Sequence, residues 1–79
     1  MTIAEAFTKR LRFYLKQKNT TVYEFASKNG LKPDALSDIL FNVDNQIAIS
    51  NVCKVCNALN ISIQEFFDCD EFKLENLKF

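Results

Sequence analysis

Only one glycine, Gly30, and one proline, Pro33, occur in the 79 residues of the chain. Hairpins, β-sandwiches and β-barrels need turn residues every few positions, and this chain does not supply them. Its apolar share is nevertheless 48%, and eight phenylalanines provide large rings for a small core. The scarcity of turn residues therefore predicts an all-α fold in a single domain, with helices joined by few turns.

The first half of the chain carries two helix patterns. Apolar residues recur at i, i+4, i+7 and i+8, at Phe7, Leu11, Tyr14 and Leu15. This spacing predicts a helix over residues 3–18. Thr21 and Glu24 have the form of a capping box, so a short second helix should begin at Thr21. Asn29 and Gly30 should end it, because glycine readily adopts the left-handed conformation found at helix ends.

The second half predicts three more helices and a tail. Pro33 fits the first turn of a third helix, where its missing N–H costs nothing. The polar stretch over residues 42–46 predicts a loop. A fourth helix then follows the apolar positions Ile49, Val52, Val55, Cys56 and Leu59. Asn60 can end that helix, and Ser62 with Glu65 can cap a short fifth one. The tail from Asp68 onward alternates like a strand only in part.

A second set of spacings concerns how two of these helices cross. A helix-turn-helix needs a small residue at the crossing, and Ala26 occupies that place. It also needs a residue tolerant of positive φ in the turn, and Gly30 follows four positions later. Leu36 and Ile39 are phased to anchor the second helix of the pair on the first. The combination is typical of a helix-turn-helix.

At these positions the chain resembles the Cro/C1-type (XRE) family of phage-repressor-like regulators, over about residues 3–68. The matching stretches are residues 21–26, 29–31, 53–62 and 65–68. The resemblance implies a five-helix, lambda-repressor-like DNA-binding domain over residues 1–68, with a tail at 69–79 available for a dimer contact. It also implies that residues 33–41 form the recognition helix of a transcriptional regulator, most often a repressor.

The resemblance further implies which residues meet DNA. The positions that match base-reading and flanking residues of the family are Lys32, Pro33, Asp34, Ser37, Asp38 and Asn42. Thr21 and Tyr23, at the start of the second helix, match phosphate-contacting positions. A carboxylate at Asp34 or Asp38 can accept from cytosine N4, but it repels phosphates.

Three other features depart from the family pattern. The loop after the third helix carries Asp44 and no basic residue, and Ala48 stands where the family often has a Ser or Thr cap. Leu15 and Leu40 replace a buried Arg–Glu pair of phage repressors, so we expect these two leucines to touch.

Two functions from different classes follow. The first is a homodimeric regulator that binds a specific sequence of double-stranded DNA and reads it with residues 33–41. The second is a helix-turn-helix adapted to protein–protein interaction, because the net charge is zero and Asp34 and Asp38 lie on the recognition side. The chain has no histidine and no Gly-rich cradle, so we expect no enzyme, cofactor, metal or small-molecule substrate. Without an apolar run of membrane-spanning length or a signal peptide, we expect a cytoplasmic protein and no membrane partner.

The sequence leaves two interpretations open for the basic residues of the first helix, for two cysteines and for the tail. Residues 1–32 carry a net charge of +5 and residues 33–79 one of −5. The first helix carries a basic stripe that suits DNA phosphates or a solvated face, made of Lys9, Arg10, Arg12, Lys16 and Lys18. Cys53 and Cys56 suit half of a metal site or, for Cys56, the core. The tail from Phe72 to Phe79 suits a subunit interface or packing back on its own domain.

Overall fold

The computed structural model describes residues 1–31 and 47–78. Within them lie four α-helices, α1 (Ile3–Gln17), α2 (Val22–Lys28), α3 (Ile49–Leu59) and α4 (Ile63–Phe67), followed by two 3-10 turns, Asp70–Phe72 and Leu74–Asn76. The sole β pairing among the described residues is an isolated bridge between Thr2 and Lys78. The all-α prediction is confirmed. The predicted third helix, residues 33–41, lies outside the described residues, as does the expected contact of Leu15 with Leu40.

Side-chain caps start three of these helices. Thr2 and Glu5 form a complete capping box on α1, with reciprocal hydrogen bonds of 3.1 Å. The Thr21 hydroxyl accepts from the Glu24 N–H at 3.1 Å, which confirms the predicted start of α2. Ser62 caps α4 by accepting from the N–H of Glu65 at 3.0 Å. A hydroxyl oxygen at each start satisfies one of the N–H groups that a helix leaves without a partner.

Left-handed residues end two helices, as the sequence predicts. Gly30 has φ of +68°, and the Leu31 N–H returns to the Ala26 carbonyl at 2.9 Å. Asn60 has φ of +61° and ends α3, where the Ile61 N–H donates to the Cys56 carbonyl at 3.0 Å. Both arrangements use a left-handed residue to turn the chain and satisfy the last carbonyls.

The core lies where α1, α2, α3 and α4 meet. Its buried residues are Phe7, Leu11, Tyr14, Leu15, Phe25, Ala26, Val52, Val55, Cys56, Leu59 and Phe66. Cys56 therefore belongs to the core, while Cys53 is exposed. Across residues 1–31 and 47–78, no group of three potential ligands lies close enough to hold a metal ion. None of the helices described there is long and apolar enough to cross a membrane.

The tail packs back on its own domain. The Phe72 ring lies 4.7 Å from the Phe67 ring and 6.1 Å from the Phe66 ring, centroid to centroid. Farther along, the Lys78 N–H donates to the Met1 carbonyl at 2.8 Å and joins the two ends of the described chain. Of the two interpretations of the tail, packing on the domain is thus observed for Phe72. Leu74 differs, because 73% of its surface stays exposed.

Candidate nucleic-acid interface

Ala26 and the turn after it lie where the sequence predicts the crossing of the helix-turn-helix. Ala26 is completely buried, so any larger side chain there would collide with its neighbours. The Asn29 side-chain amide donates to the Phe25 carbonyl at 2.8 Å and closes the last turn of α2. Gly30 then reverses the chain with its positive φ. The burial of Ala26 and the positive φ of Gly30 fit the predicted motif, whereas Leu36 and Ile39 lie outside the described residues.

The start of α2 is open to solvent. Thr21 is exposed, and its oxygen is used by the Glu24 N–H while its own O–H remains able to donate. Tyr23, in the first turn, is 68% exposed, so its phenol is presented outward. The backbone N–H groups of Val22 and Tyr23 have no carbonyl four residues earlier within the helix. This end therefore offers donors to an acceptor outside the protein.

The remaining predicted site residues belong to the segment of the sequence between α2 and α3. They are Lys32, Pro33, Asp34, Ser37, Asp38 and Asn42, and all lie outside the described residues.

A concavity lies beside Thr21, between the end of α1 and the start of α2. Its described lining consists of Arg12, Leu15, Lys16, Asn19, Thr20, Thr21 and Val22. Asn19 adopts a positive φ of 53° and turns the chain from α1 into α2. The Thr20 hydroxyl donates to the Glu24 carboxylate at 3.3 Å, which fixes both side chains at the rim. Sequence reasoning considered Arg12 and Lys16 as part of a basic stripe but did not place them at this concavity.

Arg10 shows that the basic stripe is not one surface. Its guanidinium donates to the carbonyls of Phe66 and Glu65, both at 2.8 Å, and to the Tyr14 hydroxyl at 3.0 Å. It also lies over the rings of Tyr14 and Phe13, with 4.7 and 5.2 Å from Cζ to the ring centroids. These contacts join α1 to the end of α4, where a cation suits the carbonyl end of the helix. Arg10 is therefore structural.

Tyr14 belongs to the same cluster. Burial raises the pKa of its phenol, with the nearby Arg10 acting in the opposite direction. The hydroxyl therefore stays protonated at neutral pH and donates to the Glu65 carboxylate at 3.4 Å. No pattern in the sequence signals this cluster, because its partners lie more than fifty residues away from Arg10 and Tyr14 along the chain.

The start of α3 lacks the side-chain cap seen elsewhere. Ala48 occupies the capping position with extended backbone angles (φ −69°, ψ 134°), and no side-chain hydrogen bond closes the first turn. A hydroxyl that both caps the helix and contacts a phosphate is thus missing from this helix, as the sequence indicates.

Comparison with known proteins bears on this arrangement. A family model described as helix-turn-helix matches residues 11–66, well over half of the chain. The chain belongs to the XRE-type helix-turn-helix family. As an XRE-type chain it falls in the class of DNA-binding transcription regulators. That class, rather than enzymes, is where the family match points.

A solved structure is similar to this XRE-type chain over nearly its full length. It is described as the crystal structure of the prophage Lp1 protein 11, with a TM-score of 0.81 and 26% sequence identity. The similarity covers 92% of this chain and 96% of that one. No curated protein matches the sequence.

Proposed function

We propose that this protein is a small repressor that binds a specific double-stranded DNA sequence as a homodimer and reads it with residues 33–41. The observation that carries the proposal is the complete burial of Ala26 in α2, followed by the positive-φ turn at Gly30. This turn directs the chain out of α2 just before the proposed recognition helix. In a helix-turn-helix, that position lets the second helix lie in the major groove.

The proposed contacts divide into two kinds. Thr21 and Tyr23 hold phosphates through a hydroxyl, a phenol and the first N–H groups of α2, and so fix the protein's register on the duplex. Lys32, Ser37 and the carboxylates of Asp34 and Asp38 meet base edges, where an Asp accepts from cytosine N4. Pro33 and Asn42 bound the recognition helix on its two sides. Two subunits would place two such helices about one helical turn of DNA apart.

A titration at several salt concentrations tests the proposal. The protein is mixed with the DNA upstream of its own gene and, separately, with a duplex of scrambled sequence. The upstream DNA should bind more tightly, and log affinity should fall linearly with log salt for both duplexes. Absence of binding to either duplex at low salt would contradict DNA binding. Equal affinity for both would contradict a sequence-specific reader of that DNA.

Adaptation to a protein partner is the second candidate function. It is favoured by the zero net charge and by the two carboxylates, Asp34 and Asp38, in the proposed recognition segment. Replacing both by Asn separates the candidates. Under DNA binding, loss of two negative charges raises the affinity for scrambled duplex. An unchanged affinity would contradict the placement of residues 33–41 in the DNA groove and would favour binding to a protein partner.

A further inference from the structure

We infer that the concavity between the end of α1 and the start of α2 holds a phosphate of the DNA backbone between Arg12 and Lys16. The inference rests on the proposed function, because it concerns the same DNA complex. It assigns to two residues of α1 the neutralisation of phosphate charge that the proposed recognition segment cannot supply.

The geometry of α1 places these two cations together. Arg12 and Lys16 are four residues apart, so their Cβ atoms lie about 6 Å from each other on one helix face. Both are exposed, and both line the concavity. Its lining also includes Leu15, which is buried, and Thr21, whose hydroxyl remains able to donate. An acceptor in the concavity would therefore meet two cations and the O–H group of Thr21.

The side chains of Arg12 and Lys16 have no polar partner within the described part of the chain. Neither charged side chain forms a hydrogen bond or an ion pair with another described residue, whereas the guanidinium of Arg10, two positions earlier, donates to the carbonyls of α4. The nearby carboxylate is that of Glu24, which accepts from Thr20. Arg12 and Lys16 thus remain available to an external anion.

The charge distribution explains why the site matters for binding. Lys and Arg contacts to phosphates supply essentially all of the non-specific affinity of a protein for DNA. The proposed recognition segment and its following loop contain Asp34, Asp38 and Asp44, all of which oppose that term. Positive charge is concentrated in residues 1–32 instead, with a net value of +5. We therefore assign most of the phosphate neutralisation to this part of the chain.

The shape of the concavity favours a DNA backbone over a free anion. Its rim is open on the solvent side, and its lining side chains are mostly exposed, so it does not enclose a small ion. A duplex backbone instead brings an anion that is already held in place by contacts at Thr21 and Tyr23. The guanidinium of Arg12 can then bind it through two parallel N–H groups.

Salt-dependent binding to a fluorescent duplex of scrambled sequence tests the inference. The variants are Arg12→Gln, Lys16→Gln and the double substitution, each compared with the wild-type protein. Each lost phosphate contact should reduce the magnitude of the slope of log affinity against log salt by about 1, and the double variant should lose about 2. Arg12→Lys, which keeps the charge, should recover most of the slope.

Lys73→Gln is the matched control, since it removes the same charge. Lys73 lies in the tail, which packs towards the other end of α1, and its partner is Asp70 at 3.2 Å. If the α1 variants bind like this control while the wild type binds duplex DNA, the inference is wrong and the proposed function stands. If the wild type binds no duplex at low salt, both fail.

Discussion

Arg10 and Arg12 show how neighbouring residues of one type take opposite roles. A rotation of about 200° along a helix separates positions i and i+2, so their side chains leave α1 in different directions. Arg10 reaches the carbonyls of Glu65 and Phe66, while Arg12 stays on the solvent side beside the α2 start. The formal charge is the same at both positions, and only the surroundings decide whether it stabilises the fold or is free to bind.

Removal of the Arg10 guanidinium should lower stability. Arg10→Ala leaves the carbonyls of Phe66 and Glu65 without their charged donor and should cost about 2 kcal/mol of unfolding free energy. Arg10→Lys should recover less than half of that loss, because an ammonium cannot serve two carbonyls and a phenol in the same plane. Urea denaturation measures both values. Arg12→Ala is the control and should stay within about 0.5 kcal/mol of the wild type. Equal losses at the two positions would contradict a structural role specific to Arg10.

The sequence predicts local residues well and distant partners poorly. Thr21, Gly30 and Asn60 act within a few positions of themselves, so their caps and turns can be read from spacing alone. The role of Arg10 depends on Phe66, which is 56 positions away, and only the packed fold brings the two together. The phosphate-contacting roles of Thr21 and Tyr23 remain predictions.

Among the elements, α3 differs from the other described helices at its start. Thr2, Thr21 and Ser62 each accept a backbone hydrogen bond at the capping position, whereas Ala48 has no oxygen to do so. The backbone of Ala48 is already in the extended conformation that a capping residue adopts. A side-chain acceptor introduced there would therefore need no change of the main chain.

Ala48→Thr should therefore stabilise the domain. The new hydroxyl can accept an N–H of the first turn of α3 and should add about 0.5–1 kcal/mol of unfolding free energy. Ala48→Val is the matched control, since it has nearly the same shape and no acceptor. Thermal unfolding followed by circular dichroism should rank Thr above Ala and Val. If Val stabilises as much as Thr, the gain comes from apolar contact and not from capping.

In the tail, the spacing of apolar residues does not predict the secondary structure that is observed. Phe72 and Leu74 alternate as in a strand, yet the chain there forms two 3-10 turns, Asp70–Phe72 and Leu74–Asn76. Segments of three residues are too short to show a helical or strand period. Their shape follows instead from docking against α1 and α4, which no local pattern encodes.

At the scale of the whole molecule, the tail adds apolar area to a core that is small. A domain of this length buries only about 60% of its unfolded surface, so each additional ring matters. The rings of Phe7, Phe66, Phe67 and Phe72 form one continuous set of contacts from α1 to the tail. The Met1–Lys78 hydrogen bond then joins the tail to the start of α1. Residues 69–78 therefore pack on the core of their own monomer through Phe72, whereas the side chain of Leu74 is exposed to solvent.

The different burial of Phe72 and Leu74 predicts different outcomes when each side chain is replaced by alanine. Phe72→Ala removes a half-buried ring from the contacts with Phe66 and Phe67 and should lower the unfolding free energy by about 2 kcal/mol, less than the loss for a fully buried Phe. Because the loss occurs within one chain, it should be the same at every protein concentration. Leu74→Ala should change the stability by less than about 0.5 kcal/mol, since Leu74 is 73% exposed. Urea denaturation over a hundredfold range of concentration measures both. If the effect of Phe72→Ala appears only at concentrations where dimers form, the ring belongs to a subunit interface. The stability that a subunit interface contributes depends on protein concentration, because the dimer forms by mass action.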